Sequence, residues 1–296
     1  MHIDSHQHFW RYDAAEYGWI DDSMSALKRD FLPDESAREM ARVGFDACVA
    51  VQARQTIDET RWLLSLADNH PSIAGVVGWV DLQADALRDQ LAEFVGEHRL
   101  VGVRHIAQIE PDDGFLLRSQ VVRGLGLLAD FGLAFDILVY RHQLGTAVEL
   151  VSRLPSQRFV LDHLAKPDIR SSEIDQWEQD IRRLAAHPNV FAKLSGLVTE
   201  ASWARWTGDQ IRPYLDVAFD AFGWHRLMIG SDWPVCTVAA DYARTMNVVI
   251  DYVAARPEHE RDAVLGGNAQ RFWRLRSAVA VAAEAPKVKT ASGERA

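Results

Sequence analysis

Ile3-Asp4-Ser5-His6-Gln7-His8-Phe9, almost at the start of the chain, and Leu227-Met228-Ile229-Gly230-Ser231-Asp232-Trp233-Pro234, far downstream, decide the architecture between them. The first reads as an opening β-strand. Residues two apart on a strand point to the same side, so its imidazoles, His6 and His8, converge. The second is an apolar strand that ends in an acid and is closed by a proline. Taken singly, each has an ordinary explanation: His-x-His also occurs in polar loops, and an Asp after a strand often caps the next helix. In a chain that wraps into a closed α/β barrel, however, first and last strands are neighbours and these groups meet.

Working outward, apolar strands alternate with amphipathic helices from end to end. The strands are Ile3–Phe9, Phe45–Ala53, Ile73–Leu82, Val101–Ala107, Leu133–Tyr140, Arg158–Ala165, Asn189–Gly196 and Arg226–Trp233. Helical stretches between and after them are Asp34–Val43, Ile57–Asn69, Asp85–Glu97, Ser119–Phe131, His142–Leu154, Ser172–His187, Asp209–Phe222, Asp241–Ala255 and Glu258–Arg276. Asp34, Ser172 and Asp209 suit helix N-caps, and Gly44, Gly132 and Gly223 suit left-handed helix ends. Strict alternation demands a mainly parallel sheet covered by helices, and eight repeats favour a single-domain (β/α)8 TIM barrel spanning residues 1–276. No Gly-rich phosphate fingerprint follows a strand, so no nucleotide cofactor is expected. Segments leaving strands are the long ones, and in a barrel these gather at the catalytic face. Residues 10–33, with Trp10, Tyr12, Tyr17 and Trp19, read either as a lid or as a loop packed permanently over the barrel mouth. Residues 277–296 lack a docking stripe and read as a mobile tail.

Composition narrows the partner. The 296 residues carry a formal charge of −10, which argues against nucleic acid or an anionic membrane surface and leaves a small molecule. Cys48 and Cys236 are too few and too distant for a disulfide framework or a zinc ribbon. The longest apolar runs are of strand length and the first residues lack a signal core, so the expected location is cytoplasmic.

The strand ends collect polar residues that core packing does not ask for: His6, His8, Gln52, Arg54, Trp79, Asp81, Arg104, His105, Asp136, His163, Lys166, Lys193, Ser195 and Asp232. His163, in Leu161-Asp162-His163-Leu164-Ala165-Lys166-Pro167, would ordinarily be a hydrogen-bonded core residue; its strand end is the barrel mouth that already receives His6, His8 and Asp232. His70, His98 and His187 fall at helix C-termini and read as structural.

His6-x-His8, the strand-end His163 and Gly230-Ser231-Asp232-Trp233-Pro234 resemble the amidohydrolase superfamily, in particular its amidohydrolase 2 (amidohydrolase-related) branch, over roughly residues 1–275. Within that branch the chain is similar to sugar-lactone hydrolases of the L-fuconolactonase type and, more distantly, to pyrone-dicarboxylate lactonases. The metal-bridged members carry a strand-four Lys and a strand-five His. This chain has Val101-Gly102-Val103-Arg104-His105 and Phe135-Asp136-Ile137 instead, so the binuclear site is expected to be absent. His6, His8 and Asp232, with His163, could still hold one Zn²⁺, although the lactonase branch implies that no metal is required.

The resemblance implies hydrolysis of an aldonolactone in L-fucose or related sugar breakdown. Asp232 would activate water, and His6, His8 and His163 would polarise the lactone carbonyl. Gln52, Arg54, Arg104, His105 and Lys166 would bind substrate oxygens or else form rim salt bridges; Trp19 and Trp79 would lie against the sugar ring or else pack in the core. The competing activity in the same branch is a zinc-dependent decarboxylase or another metal-dependent hydrolase.

Overall fold

All eight apolar runs form strands: β1 (Ile3–Gln7), β2 (Ala47–Val51), β3 (Ile73–Gly78), β4 (Leu100–His105), β5 (Ala134–Ile137), β6 (Phe159–Leu161), β7 (Val190–Leu194) and β8 (Leu227–Ile229). They pair in parallel in chain order. The ring closes where Gln7 bridges Trp233, with His8 N–H donating to Trp233 O at 2.7 Å and Asp232 N–H to His6 O at 2.9 Å. This is the (β/α)8 barrel that the alternation predicts. The computed structural model describes residues 1–275, so the tail expected at 277–296 lies outside the described residues.

One buried carboxylate ties the closing seam. Asp4 accepts from Ser231 N–H at 2.8 Å, His6 N–H at 3.1 Å, Gln7 Nε2 at 2.7 Å and the Tyr242 hydroxyl at 3.0 Å. Four donors converging on one buried acid join β1 to the chain after β8 and to the helix that begins at Tyr242. Register between β1 and β2 shifts between Asp4 and Gln7.

Apolar side chains divide into two layers. Inside the barrel, Val49, Val77, Val101, Val160 and Met228 stack above a plug made by Phe272 and Trp273. Outside it, the sheet packs against α1 (Pro33–Arg42), α2 (Ile57–Asn69), α3 (Leu87–Ala92), α4 (Ser119–Leu128), α5 (Leu144–Arg153), α6 (Asp175–Ala185), α7 (Gly208–Phe222) and α8 (Tyr242–Val253). The last expected helix is broken: α9 (Glu258–Asp262) and α10 (Asn268–Trp273) flank a wide turn at Ala263–Gly267. There a side chain on Gly266 would strike Met1 O at 2.3 Å, so the turn closes on the chain start.

Several boundaries differ from the sequence reading, each for a local reason. Leu32 caps α1, with Pro33 in the first turn, so Asp34 lies inside the helix. Thr207, not Asp209, caps α7 through a reciprocal box with Gln210. Ser172 adopts a left-handed conformation in the turn before α6, which starts at Asp175 after Ile174. Gly44, Gly132 and Gly223 do have positive φ, as expected. Residues 10–33 pack over the barrel mouth: Trp10 and Phe31 exchange backbone hydrogen bonds at 3.0 and 2.9 Å, Trp10 Nε1 donates to Arg29 O at 2.9 Å, and Phe31 meets Trp233 edge-on at 5.3 Å. Cys48 and Cys236 are free and buried. No helix among the described residues is long and apolar enough to cross a membrane.

Candidate active site

The strand ends deliver His6, His8, His163 and Asp232 to one point. His6 is the penultimate residue of β1 and His8 follows the strand, and their Nε2 atoms lie 3.1 Å apart. Asp232, three residues beyond β8, has φ +58°. Its Oδ1 lies 3.3 Å from His8 Nε2, 3.7 Å from His6 Nε2 and 3.9 Å from His163 Nε2.

His163 arrives by an unusual backbone. β6 stops at Leu161, so His163 is not on the strand as its apolar neighbours suggest. Instead His163, Leu164, Ala165 and Lys166 form a left-handed turn with φ of 54°, 49°, 57° and 53°. For L-residues this conformation costs roughly 1–2 kcal/mol per residue. The turn is held by Trp177 Nε1, which donates to Leu164 O at 2.7 Å, and by burial of Leu164 and Ala165.

Hydrogen bonds set the proton positions. His8 Nδ1 lies 2.8 Å from Val51 O and so carries a proton; in the neutral ring Nε2 is then an acceptor, and it donates only as imidazolium. The Lys193 ammonium lies 3.2 Å and Asp162 Oδ1 3.5 Å from His6 Nδ1, while Arg104 Nη1 lies 3.3 Å from His6 Nε2, so both nitrogens of this ring are engaged by the buried network. The Ser195 hydroxyl lies 2.9 Å from His163 Nδ1, and when it donates there His163 Nε2–H faces Asp232.

Beneath these rings sits a buried charge network. Lys193 bonds Asp136 and lies 2.9 Å from Asp162 Oδ1, while Arg104 Nη1 donates to Asp162 Oδ2 at 3.0 Å. Gln52 fixes the guanidinium, accepting from Arg104 Nε at 2.9 Å through Oε1 and from Nη2 through its backbone carbonyl. Burial alone would raise Asp162, but Lys193, His6 and Arg104 hold its carboxyl well below the ordinary range. Burial likewise opposes ionisation of Asp232, yet His163, His8 and His6 pull its pKa below the usual carboxylate value. Burial dominates the rings themselves, lowering His6 well below its ordinary value and His163 to about 4. The result is an ionised carboxylate among largely neutral imidazoles.

A sequence model described as amidohydrolase matches residues 3–275. The chain belongs to the amidohydrolase family. An L-fucono-1,5-lactonase of Burkholderia multivorans is 43% identical over 286 residues, covering 93% of this chain and 96% of that one. A second L-fucono-1,5-lactonase, from Burkholderia ambifaria, is 35% identical over 284 residues, covering 92% and 95%. A crystal structure of a Burkholderia multivorans amidohydrolase with bound zinc superposes with a TM-score of 0.90 at 43% identity, over 93% of this chain and 100% of that one.

In this amidohydrolase the donor atoms fit one zinc ion. His6 Nε2, His8 Nε2 and Asp232 Oδ1 are 3.1, 3.3 and 3.7 Å apart. Ligands about 2.0–2.1 Å from a tetrahedral zinc stand about 3.3 Å from one another. His6, Asp162 and His163 form a second cluster with ligand atoms within 4.8 Å of one another. Lys193 and Arg104 already supply positive charge to its carboxylate.

Above the cluster opens a cavity of about 380 Å³, lined among others by His8, Arg104, His163 and Asp232. Of the residues expected to bind substrate, Trp19, Arg104 and Lys166 line it; Gln52, Arg54, Trp79 and His105 do not. Gln52 is the buried clamp on Arg104. Arg54 pairs with Glu16 at 2.5 Å in the 10–33 segment. Trp79 Nε1 lies 3.4 Å from His105 Nδ1, and His105 stacks on Phe115 and meets Glu110 at 2.7 Å, so these two rings are partnered by the protein. Sequence reasoning missed Gln108, Glu200 and Trp203, which line the cavity from loops without periodicity, and Tyr140, which was read as the end of a strand but lies three residues beyond β5. Their one signal is the length of the exit segments. It also missed Asp162, although that residue stands inside the motif around His163.

Proposed function

We propose that this amidohydrolase hydrolyses a sugar lactone of the L-fucono-1,5-lactone type to the sugar acid, in the cytoplasm and within L-fucose or related sugar breakdown. One observation carries the reading: an ionised Asp232 stands within 3.3–3.9 Å of three imidazoles at the floor of a cavity of about 380 Å³. Relatives at 43% and 35% identity that bear the L-fucono-1,5-lactonase name support it.

A lactone is an ester, so water must be activated on one side and the carbonyl oxygen stabilised on the other. Asp232 takes the proton from water as it attacks, then returns it to the ring alkoxide when the C–O bond breaks. General base catalysis of this kind contributes about 10²–10⁴ in rate. The Nε2–H group of His163 donates to the developing oxyanion, while His6, fully buried and outside the cavity lining, supports it from behind and His8 stands beside Asp232. Donors of this kind are worth roughly 3–4 kcal/mol each. Arg104, clamped by Gln52 and Asp162, adds a fixed positive charge at the cavity wall.

His6, His8 and Asp232 are the residues that would hold one zinc ion, which when bound would supply Lewis-acid polarisation of the carbonyl. The reading takes the metal as not required, because the chain's own donors answer the demands of an ester.

The substrate class follows from the cavity's charges. Arg104 is committed to Asp162 and Gln52, which leaves Lys166 as the uncommitted cation among the described lining residues. A dicarboxylate asks for several convergent cations, whereas a polyhydroxy lactone asks for donors, acceptors and an apolar ring face. A pH-indicator assay comparing L-fucono-1,5-lactone and L-galactonolactone with a pyrone dicarboxylate tests this directly. The aldonolactones should show the higher kcat/KM; preference for the dicarboxylate, or no lactone turnover, overturns the proposal.

A further inference from the structure

The cavity contains an acid that the mechanism does not use. Glu200 lies on the exit segment between β7 and α7 and lines the same space as His163 and Asp232. Most polar side chains at the barrel mouth have protein partners: Arg104 has Gln52 and Asp162, His105 has Glu110, and Lys193 has Asp136. The Glu200 carboxylate is different. Burial raises its pKa, and Lys166, Asp232 and Arg141 act on it through space, with no hydrogen bond from any described residue among the causes. A half-buried carboxylate with open acceptor sites is costly unless donors arrive from a ligand or from water.

The donors it suits are hydroxyls. A carboxylate offers two oxygens and about four lone-pair sites, enough to accept from two neighbouring hydroxyl groups at once. Lys166, on the same cavity wall set, donates to oxygens but cannot accept. Trp19 and Trp203 give the apolar faces on which the C–H side of a saturated ring packs. Asp232 and the imidazoles occupy the reacting carbonyl, so the hydroxyls elsewhere on the ring are what remain for Glu200.

We propose that Glu200 is the specificity-determining residue of this site: it accepts hydrogen bonds from adjacent hydroxyls of the lactone ring and disfavours lactones that lack them or carry negative charge. The proposal rests on the lactonase reading above.

The test is a cycle of two enzymes and two substrates, with chelated full-length protein. Wild type and Glu200→Gln are each assayed on an aldonolactone and on δ-valerolactone, which has the ring ester but no hydroxyls. Melting temperatures of both proteins establish that the variant is folded. The expected result is a loss of kcat/KM on the aldonolactone at least about tenfold larger than the loss on δ-valerolactone, expressed mainly in KM. This is the scale of hydrogen bonds to a charged group. Glu200→Asp, which keeps both acceptor oxygens, should recover part of that difference. Equal losses on the two substrates, or an undiminished aldonolactone rate, overturn the role of Glu200 and leave the lactonase reading intact. Wild-type enzyme that hydrolyses neither substrate, whether chelated or with one equivalent of Zn²⁺ restored, overturns the lactonase reading itself.

Discussion

A methyl group placed on Gly196 would lie 2.7 Å from Nδ1 of His163. The backbone at Gly196 also has φ +64°, where a side chain is strained. The residue after Ser195 is therefore glycine so that the imidazole can sit against the end of β7, between the Ser195 hydroxyl and Asp232. Gly196→Ala should lower the melting temperature by a few degrees and reduce kcat by at least about tenfold, because His163 must leave its position. A folded variant with wild-type kcat would show that His163 is not needed where it stands.

Replacing Asp232 by Asn removes the base while keeping the shape. The expected loss in kcat is at least about a hundredfold, on the scale of general base catalysis, with near-wild-type thermal stability. Steady-state kinetics on the folded variant decides it, and wild-type turnover would take Asp232 out of the reaction.

The pH profile should be flat over most of the acid range. Asp232 is held below the ordinary carboxylate range and His163 is lowered to about 4, so both are in their working forms above roughly pH 5. Chelated enzyme at saturating substrate should show kcat falling only as pH drops towards 4. An ascending limb centred near pH 6.5 would mean that a histidine with an ordinary pKa controls the rate.

Stability should carry the same signature. His163 binds its proton less readily folded, at about 4, than unfolded, at an ordinary 6.5. The unfolded chain therefore takes up the proton first. This contribution is fully present above pH 6.5 and is lost as pH falls through the window down to about 4, at roughly 1.4 kcal/mol per pH unit. Urea midpoints of wild type and His163→Gln should differ in slope across that window. Parallel curves would contradict the buried neutral ring.

Metal content offers a fifth measurement. Exhaustive chelation should leave most of the lactonase activity, and titration back with Zn²⁺ should saturate at one ion per chain, with His8→Ala weakening that binding. An inactive apoenzyme restored by one equivalent would make the imidazoles ligands first and hydrogen-bond donors second.

The barrel was legible because each strand is a short apolar run between helical stretches, and His6 and His8 were legible because strand residues two apart share a side. The left-handed turn at His163–Lys166 was not. No glycine or asparagine marks it, and Leu164 and Ala165 sit there because tertiary packing overrides their preference. Gln52, Arg54, Trp79 and His105 were correctly placed near strand ends, yet their side chains bond to neighbours, a choice that only three-dimensional partners determine. Glu200 and Trp203 belong to a loop whose sequence has no period to read.

The charges around the cavity also bear on how a reaction cycle ends. Ring opening turns a neutral molecule into an anion beside Asp232 and Glu200, where Arg104 is already satisfied by Asp162 and Gln52. The carboxylate just formed is therefore repelled by the acid that helped to make it, and departure is favoured by the same field that tolerates an uncharged ring. A site arranged in this way should release its acid readily, with Lys166 the one uncommitted cation among the described lining residues left to retain it.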